Sequence, residues 1–230
     1  MKMLDNDLVK SFEESVLADS LDLASDLAEV GLDSILDDGV IKDIPIISAT
    51  IGVFKIGSSI KERHYIKKLV RFIDSCNKGI VDKDMKERIK TKFLDEKKSK
   101  KELEHILLII DRFIEEEKAD MLAKIYIAYL DSKIDWSQFV AYSVVLDRFL
   151  PGDYSYYSSS FNFNVQNNSE IDILLRLSGL GLLIEETRKE ARPLINDQLV
   201  QKHFENNKDK RVYVKTDFGR ILTSILGGFY

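Results

Sequence analysis

The sequence predicts a mainly α fold, a helical bundle followed by a small α+β module. Three observations carry this. Apolar residues recur every three or four positions from Leu4 to Phe149. Only three Pro and eleven Gly punctuate 230 residues that are 44% hydrophobic and 32% charged, against a turn-rich sandwich or a disordered chain. Strand-like alternation is confined to the C-terminal part, as in Arg211-Val-Tyr-Val-Lys215.

Taken in order, Leu4, Leu8, Phe12 and Val16, then Leu23, Leu27 and Val30, describe one amphipathic helix or a pair of shorter ones within residues 4–36. Asp37-Asp38-Gly39 is a turn. Pro45 suits a helix start, where its missing N–H costs nothing, and the spacing describes a helix from about Ile46 to Gly57 that could continue through Ile60, Ile66, Leu69, Val70 and Ile73 to Cys76. Asn77-Lys78-Gly79 stops it. Asp82 is expected to cap a helix bearing Met85, Ile89 and Phe93, and Ser99 one bearing Leu103, Ile106 and Ile110. Met121, Leu122, Ile125 and Tyr129 mark another, and Asp135 with Gln138 forms a capping box for the next. Residues 1–150 thus read as a bundle of about six helices.

Pro151-Gly152 breaks the pattern, and Asp153 to Asn168, rich in Tyr, Ser, Phe and Asn, reads as a connector over 151–168: a linker or ordered loop by its polarity, or a short strand by the alternation at Phe161, Phe163 and Val165. Residues 169–230 form the third part. There Ser169 caps a helix with Leu174 and Leu177, an apolar run Leu182-Leu-Ile184 follows, Arg211–Lys215 returns as a strand, and Thr216 caps a last helix.

The formal charge of −5 conceals a strong asymmetry. Met1–Val40 holds two Lys against eleven acids, whereas Lys55–Lys101 holds sixteen Lys and Arg against seven acids. Solvated helix faces account for such runs; a phosphate-bearing partner for the basic stretch is the alternative. The one cysteine, Cys76, cannot form an internal disulfide and reads as an apolar filler in a reducing compartment. Met1–Asp19 alternates acids with apolar residues and is not expected to act as a secretory signal. The longest uncharged apolar stretch, Ile44 to Phe54, is 11 residues, short of the roughly 20 a spanning helix needs. A cytoplasmic protein, peripheral at the membrane if it meets one, is the expectation.

His64, His105 and His203 fall in different helices without metal-ligand spacing, and no glycine-rich phosphate loop occurs. No catalytic, cofactor or metal site is therefore expected, and the chain reads as non-enzymatic. Three surfaces remain as candidates. Ile44, Ile46, Ile47, Ile51 and Phe54, with Lys55, Lys61, Arg63, Lys67 and Lys68 beyond them, could lie in an anionic membrane interface or on a partner; the plain alternative is a central helix of the bundle, since a helix apolar all round is normally buried. Tyr154, Tyr156, Tyr157, Phe161 and Phe163 have the composition of a partner surface, or fasten the connector to the bundle. Arg176, Arg188, Lys189 and Arg192 are candidate nucleic-acid contacts.

The tail, LLRLSGLGLLIEE followed by RVYVKTDFGRILTSIL, resembles the second half of a winged-helix module, with a helix ending in "L.LGLL", a β-hairpin wing and a helix restarting at "Thr-x-x-Gly". This resemblance implies a winged-helix-like α+β module. It departs from a DNA reader in offering only Arg176 beside Glu170 and Asp172 on the recognition helix, and in the insertion from Lys189 to Lys210; several base-reading side chains on one helix face are wanted. Residues 41–72, IKDIPIISATIGVFKIGSSIKERHYIKKLVRF, resemble small bacterial and prophage proteins associated with abortive infection, which implies a host–phage conflict setting but no activity. A non-enzymatic protein acting through protein–protein contacts is the leading expectation, with a membrane-associating effector and a DNA-binding regulator as alternatives.

Overall fold

The computed structural model describes residues 2–18, 44–54, 59–80, 82–159, 162–164, 168–189 and 209–227. They divide into two units, Met1–Asp147 and Arg148–Tyr230. The protein is mainly helical, with one small antiparallel sheet, in the second unit.

In the first unit, α1 (Lys2–Leu17) turns Val9, Phe12 and Val16 inward. The remainder of the expected 4–36 helical region lies outside the described residues. α2 (Pro45–Phe54) starts, as its proline suggests, at the first helical position. One of its orphan N–H groups, that of Ile46, donates to Ser15 Oγ of α1 at 2.9 Å, while Ser15 itself donates to the Ser11 carbonyl at 2.7 Å. α3 (Ile60–Gly79) is separate from α2 rather than its continuation. The physical reason is a capping box: Ser59 Oγ accepts from the Glu62 N–H at 3.3 Å and the Glu62 carboxylate accepts from the Ser59 N–H at 3.2 Å, so a helix begins where the apolar period alone suggests continuity.

α3 buries Ile66, Leu69, Val70, Phe72, Ile73 and Cys76 and packs along α6. Near its end the Asn77 carboxamide donates to the carbonyls of Ser15 (2.9 Å) and Val16 (2.8 Å) and reaches that of Ala18 (3.3 Å). A side chain from one helix thereby satisfies the last carbonyls of another. α4 (Lys83–Lys92) is capped by Asp82 as expected. α5 (Glu96–Arg112) is capped by Asp95, whose carboxylate accepts from the Lys98 N–H at 3.1 Å. Ser99, the expected cap, therefore sits inside the helix and is buried. α6 (Glu117–Leu130) and α7 (Trp136–Arg148) complete the unit, and the Asp135–Gln138 capping box forms with bonds of 2.8 and 2.9 Å. Phe12, Phe72, Phe93 and Tyr126 make a continuous ring cluster extended by Tyr129, Phe139 and Trp136.

The second unit corrects the expected connector. The connector's first part, expected as a loop, forms a helix, α8 (Pro151–Ser159), while the alternative of a short strand holds at β1 (Asn162–Asn164). Tyr154 and Tyr157 stand three residues apart on one helix face and are both buried; their apolar area decides the conformation, where the Ser- and Tyr-rich composition suggests a loop. α9 (Asn168–Gly179) leads through Gly181, at φ +74°, into β2 (Leu183–Lys189), and β3 (Asp209–Lys215) returns to α10 (Asp217–Leu226). The sheet order is β1-β3-β2, with Phe163 opposite Tyr213 and Leu183 opposite Lys215. Thr216 caps α10 by accepting from the Gly219 N–H at 3.0 Å, and its own N–H donates to the Leu182 carbonyl at 3.0 Å. Gly219 lies so near the Leu182 carbonyl and the Tyr157 hydroxyl that a Cβ there would collide with both. "Thr-x-x-Gly" is thus a cap plus a close approach.

Gly219→Ala is therefore expected to destabilise the second unit by about 1–3 kcal/mol, read by hydrogen exchange in β3 and α10. Gly79→Ala meets the free end of the Ile127 side chain and should cost clearly less. A second expectation concerns α6, which ends with Ser132 at φ 60°, its N–H bonded to the Tyr129 carbonyl (3.0 Å) and that of Lys133 to the Ala128 carbonyl (2.9 Å). These are the bonds of a Schellman motif, whose left-handed position suits glycine. Ser132→Gly should raise stability by about 0.5–1 kcal/mol in urea unfolding.

Candidate functional site

The basic face of α3 is the part of the chain most heavily nominated by sequence, and it is spent internally. Residues 61, 64, 67, 68, 71 and 75 fall along one side of the helix and meet the segment that joins α5 to α6. Lys61 pairs with Asp111 (3.6 Å) and Lys67 with Glu116 (2.8 Å). Arg71 binds Asp120 through Nε (3.0 Å) and a terminal nitrogen, and reaches Glu116 at 3.5 Å. Ser75 donates to the other Asp120 oxygen at 2.8 Å. His64 Nε2 lies 2.7 Å from the Ile114 carbonyl and Nδ1 3.6 Å from Glu116.

Lys68 is buried and donates to the carbonyls of Asp111 (3.2 Å) and Phe113. These belong to the C-terminal end of α5, where the helix dipole favours a cation. Burial pushes the Lys68 ammonium below the usual lysine range, and Asp111 works in the opposite direction.

In the candidate membrane or partner surface, the apolar residues at the start of α2 follow the reading of a central helix of the bundle. Ile44, Ile46 and Ile47 are at most 1% exposed, because α2 is apolar on most sides and packs against α1 and α3. Ile51 is half-buried; the side chain of Phe54, and Lys55, lie outside the described residues. Arg63 is half-buried and Lys61 remains exposed.

The second unit treats its nominated residues similarly. Tyr154, Tyr157 and Phe163 are core, with Tyr154 edge-on to Phe149 (6.1 Å) and Tyr157 stacked on Phe163 (6.4 Å). Tyr156 is half-buried against Phe163 at 5.3 Å, and Phe161 lies outside the described residues. The rings hold α8 to the sheet instead of forming an open surface. Arg176 makes a two-pronged pair with the buried carboxylate of Asp153, at 2.8 and 2.7 Å, which explains an arginine on that helix without a nucleic-acid ligand. Arg188 and Lys189 belong to β2 by backbone; their side chains, and Arg192, lie outside the description. Lys215 carries its ammonium 4.6 Å from the Tyr157 ring centre, and burial pushes it below the usual lysine range.

Two polar pairs were missed by sequence reasoning. His105 Nε2 lies 2.9 Å from Ser143 Oγ, joining α5 to α7. Burial lowers the imidazole below its ordinary range. Ser143 is wholly buried and also donates to the Val140 carbonyl. Tyr129 donates to Glu102 at 2.6 Å, beside Lys98 at 3.8 Å from that carboxylate, and Lys92 lies 5.1 Å from the Tyr129 ring. Neither pair leaves a signal in sequence, because each joins helices far apart along the chain. Among the described residues no three His, Cys, Asp or Glu side chains gather as metal ligands, and no helix is long and apolar enough to cross a membrane. Comparison with protein-family models, curated proteins and solved structures returns no match.

Burial lifts Glu102 above the ordinary glutamate range, although Tyr129, Lys98 and Lys92 pull against it. A raised folded value favours the folded state fully below the ordinary range, and this contribution is lost as pH rises through the raised value. Glu102→Gln, which keeps an acceptor for Tyr129, should therefore raise the melting temperature by about 1–3 °C near pH 8 and bring no gain near pH 4.

Proposed function

We propose that the chain is a non-enzymatic interaction protein that works through protein contacts made by its second unit, in a bacterial or phage conflict setting. The observation that carries the reading is the contrast between what is spent and what is left exposed. Several groups suited to reading phosphate are engaged within the chain: Lys67 and Arg71 with Glu116 and Asp120, Lys68 with carbonyls, and Arg176 with Asp153. Large apolar side chains are exposed in both units, Ile60, Leu94 and Ile114 in the first and Leu175 (55%) and Ile221 (39%) in the second, and the choice of the second unit rests on its winged-helix resemblance. Exposed apolar area beside satisfied polar groups favours a protein partner over an anionic one. The setting rests on the resemblance of residues 41–72 alone.

The test is cross-linking in a bacterial host followed by reconstitution of the captured pair from purified proteins. Leu175→Asp with Ile221→Asp should weaken the reconstituted complex at least about tenfold, with the melting temperature unchanged, and Lys61→Gln should leave it intact. Failure of every reconstituted pair, together with flotation of the full chain on anionic vesicles or salt-sensitive binding to duplex DNA, would overturn the reading in favour of a membrane or nucleic-acid partner.

A further inference from the structure

The second unit ends its sheet on an unusually plain edge. β2 is an outer strand in the order β1-β3-β2. Its register against β3 runs unbroken from Leu183 opposite Lys215 to Lys189 opposite Asp209. No bulge, proline or glycine interrupts these seven residues, and among the described residues no further strand pairs with the outer side of β2. Ile184, Glu185, Glu186 and Thr187 are all exposed.

The charge on this edge has a particular order: Glu185-Glu186-Thr187-Arg188-Lys189 runs two acids, a neutral residue and two bases. A run of one sign would repel a copy of itself, but this order is its own complement when read backwards. We infer that β2 pairs antiparallel with β2 of a second copy of this chain, Thr187 standing opposite its own counterpart on the two-fold axis. In that register Glu186 lies opposite the partner's Arg188 and Glu185 opposite the partner's Lys189, and the symmetry repeats both pairs. Opposite charges facing one another across strands stabilise an antiparallel pair, and like charges destabilise it. A slip by one residue sets Glu186 against Thr187 and Lys189 against Ile184, leaving half the charges unmatched, while a parallel arrangement sets Glu on Glu. The interface is isologous, as a closed dimer requires, and joins two three-stranded sheets into one of six strands. With so few residues paired it is small, and its dissociation constant is expected in the micromolar range, on the order of 10–100 µM. The inference goes beyond the proposed function, since it uses neither Leu175 nor Ile221.

The experiment is sedimentation of the full chain over about 5–300 µM, a range set to span that affinity. It is repeated with the double variants Glu185→Lys/Glu186→Lys and Arg188→Glu/Lys189→Glu, singly and mixed. The expected result is a reversible dimer of the unaltered chain, at least about tenfold weaker dimerisation of each variant alone, and recovery of a one-to-one heterodimer on mixing. Recovery also guards against misfolding, because an unfolded variant could not restore a partner. Cross-linking through Thr187→Cys, with Cys76→Ala, should join two copies under mild oxidation. A chain that stays monomeric throughout, or variants that dimerise as strongly as the parent, would overturn the inference; neither result would bear on a partner at Leu175 and Ile221.

Discussion

Arg71 holds two acidic groups at once, and the arrangement of the first unit follows from it. By binding Asp120 in α6 and reaching Glu116 in the preceding turn, it fixes α3 against α6 in both rotation and translation. A guanidinium is suited to this because its planar fork presents several donors in fixed directions. Lys67 and Ser75, one turn to either side, engage the same two carboxylates. With α3 set in this way, Asn77 is in position to close the end of α1, and Ser15 of α1 is in position to start α2. The first two helices are thus attached through polar contacts arranged by the third, while the aromatic cluster beneath supplies the apolar burial.

The charge layout has a different meaning from the one the bare counts suggest. The part of the basic stretch on α3, Lys61, Lys67 and Arg71, finds its counter-charge in Asp111, Glu116 and Asp120, in a segment whose run of Glu residues carries no chemistry by itself. Charge runs are legible in sequence, but their partners are set by which helix ends meet, and that is a tertiary fact. The same limit applies to Asp153 with Arg176 and to His105 with Ser143. What was legible was local: Asp82, the Asp135–Gln138 box and Thr216 act as caps because each bonds within three residues of itself. The mistaken helix boundaries arose where two local signals competed, at Ser59, where a capping box interrupts an apolar period, and at Asp95, an N-cap four residues before another candidate.

The tyrosine-rich stretch shows why composition misled. Tyr and Ser suit loops and recognition surfaces, yet Tyr154 and Tyr157 share a face, and Lys215 and Gly219 shape the space around the second ring. The decisive property was spacing joined to available area, and the area was supplied by a strand more than fifty residues farther along. Cys76, read as an apolar filler, is indeed buried, and burial lifts its thiol well above the usual range.

The sheet has one consequence for how the protein comes into being. β3 lies between β1 and β2, although it is the last of the three in sequence. On a growing chain, neither earlier strand has a neighbour until residues 209–215 have been synthesised, whereas the first unit can complete its helix contacts well before that point. During this interval β1 and β2 expose unpaired backbone groups, and the ring of Tyr157 waits for the lysine that will cover it. Assembly of the second unit is therefore paced by translation of its end, and any delay there prolongs the time during which its strands can find the wrong companion.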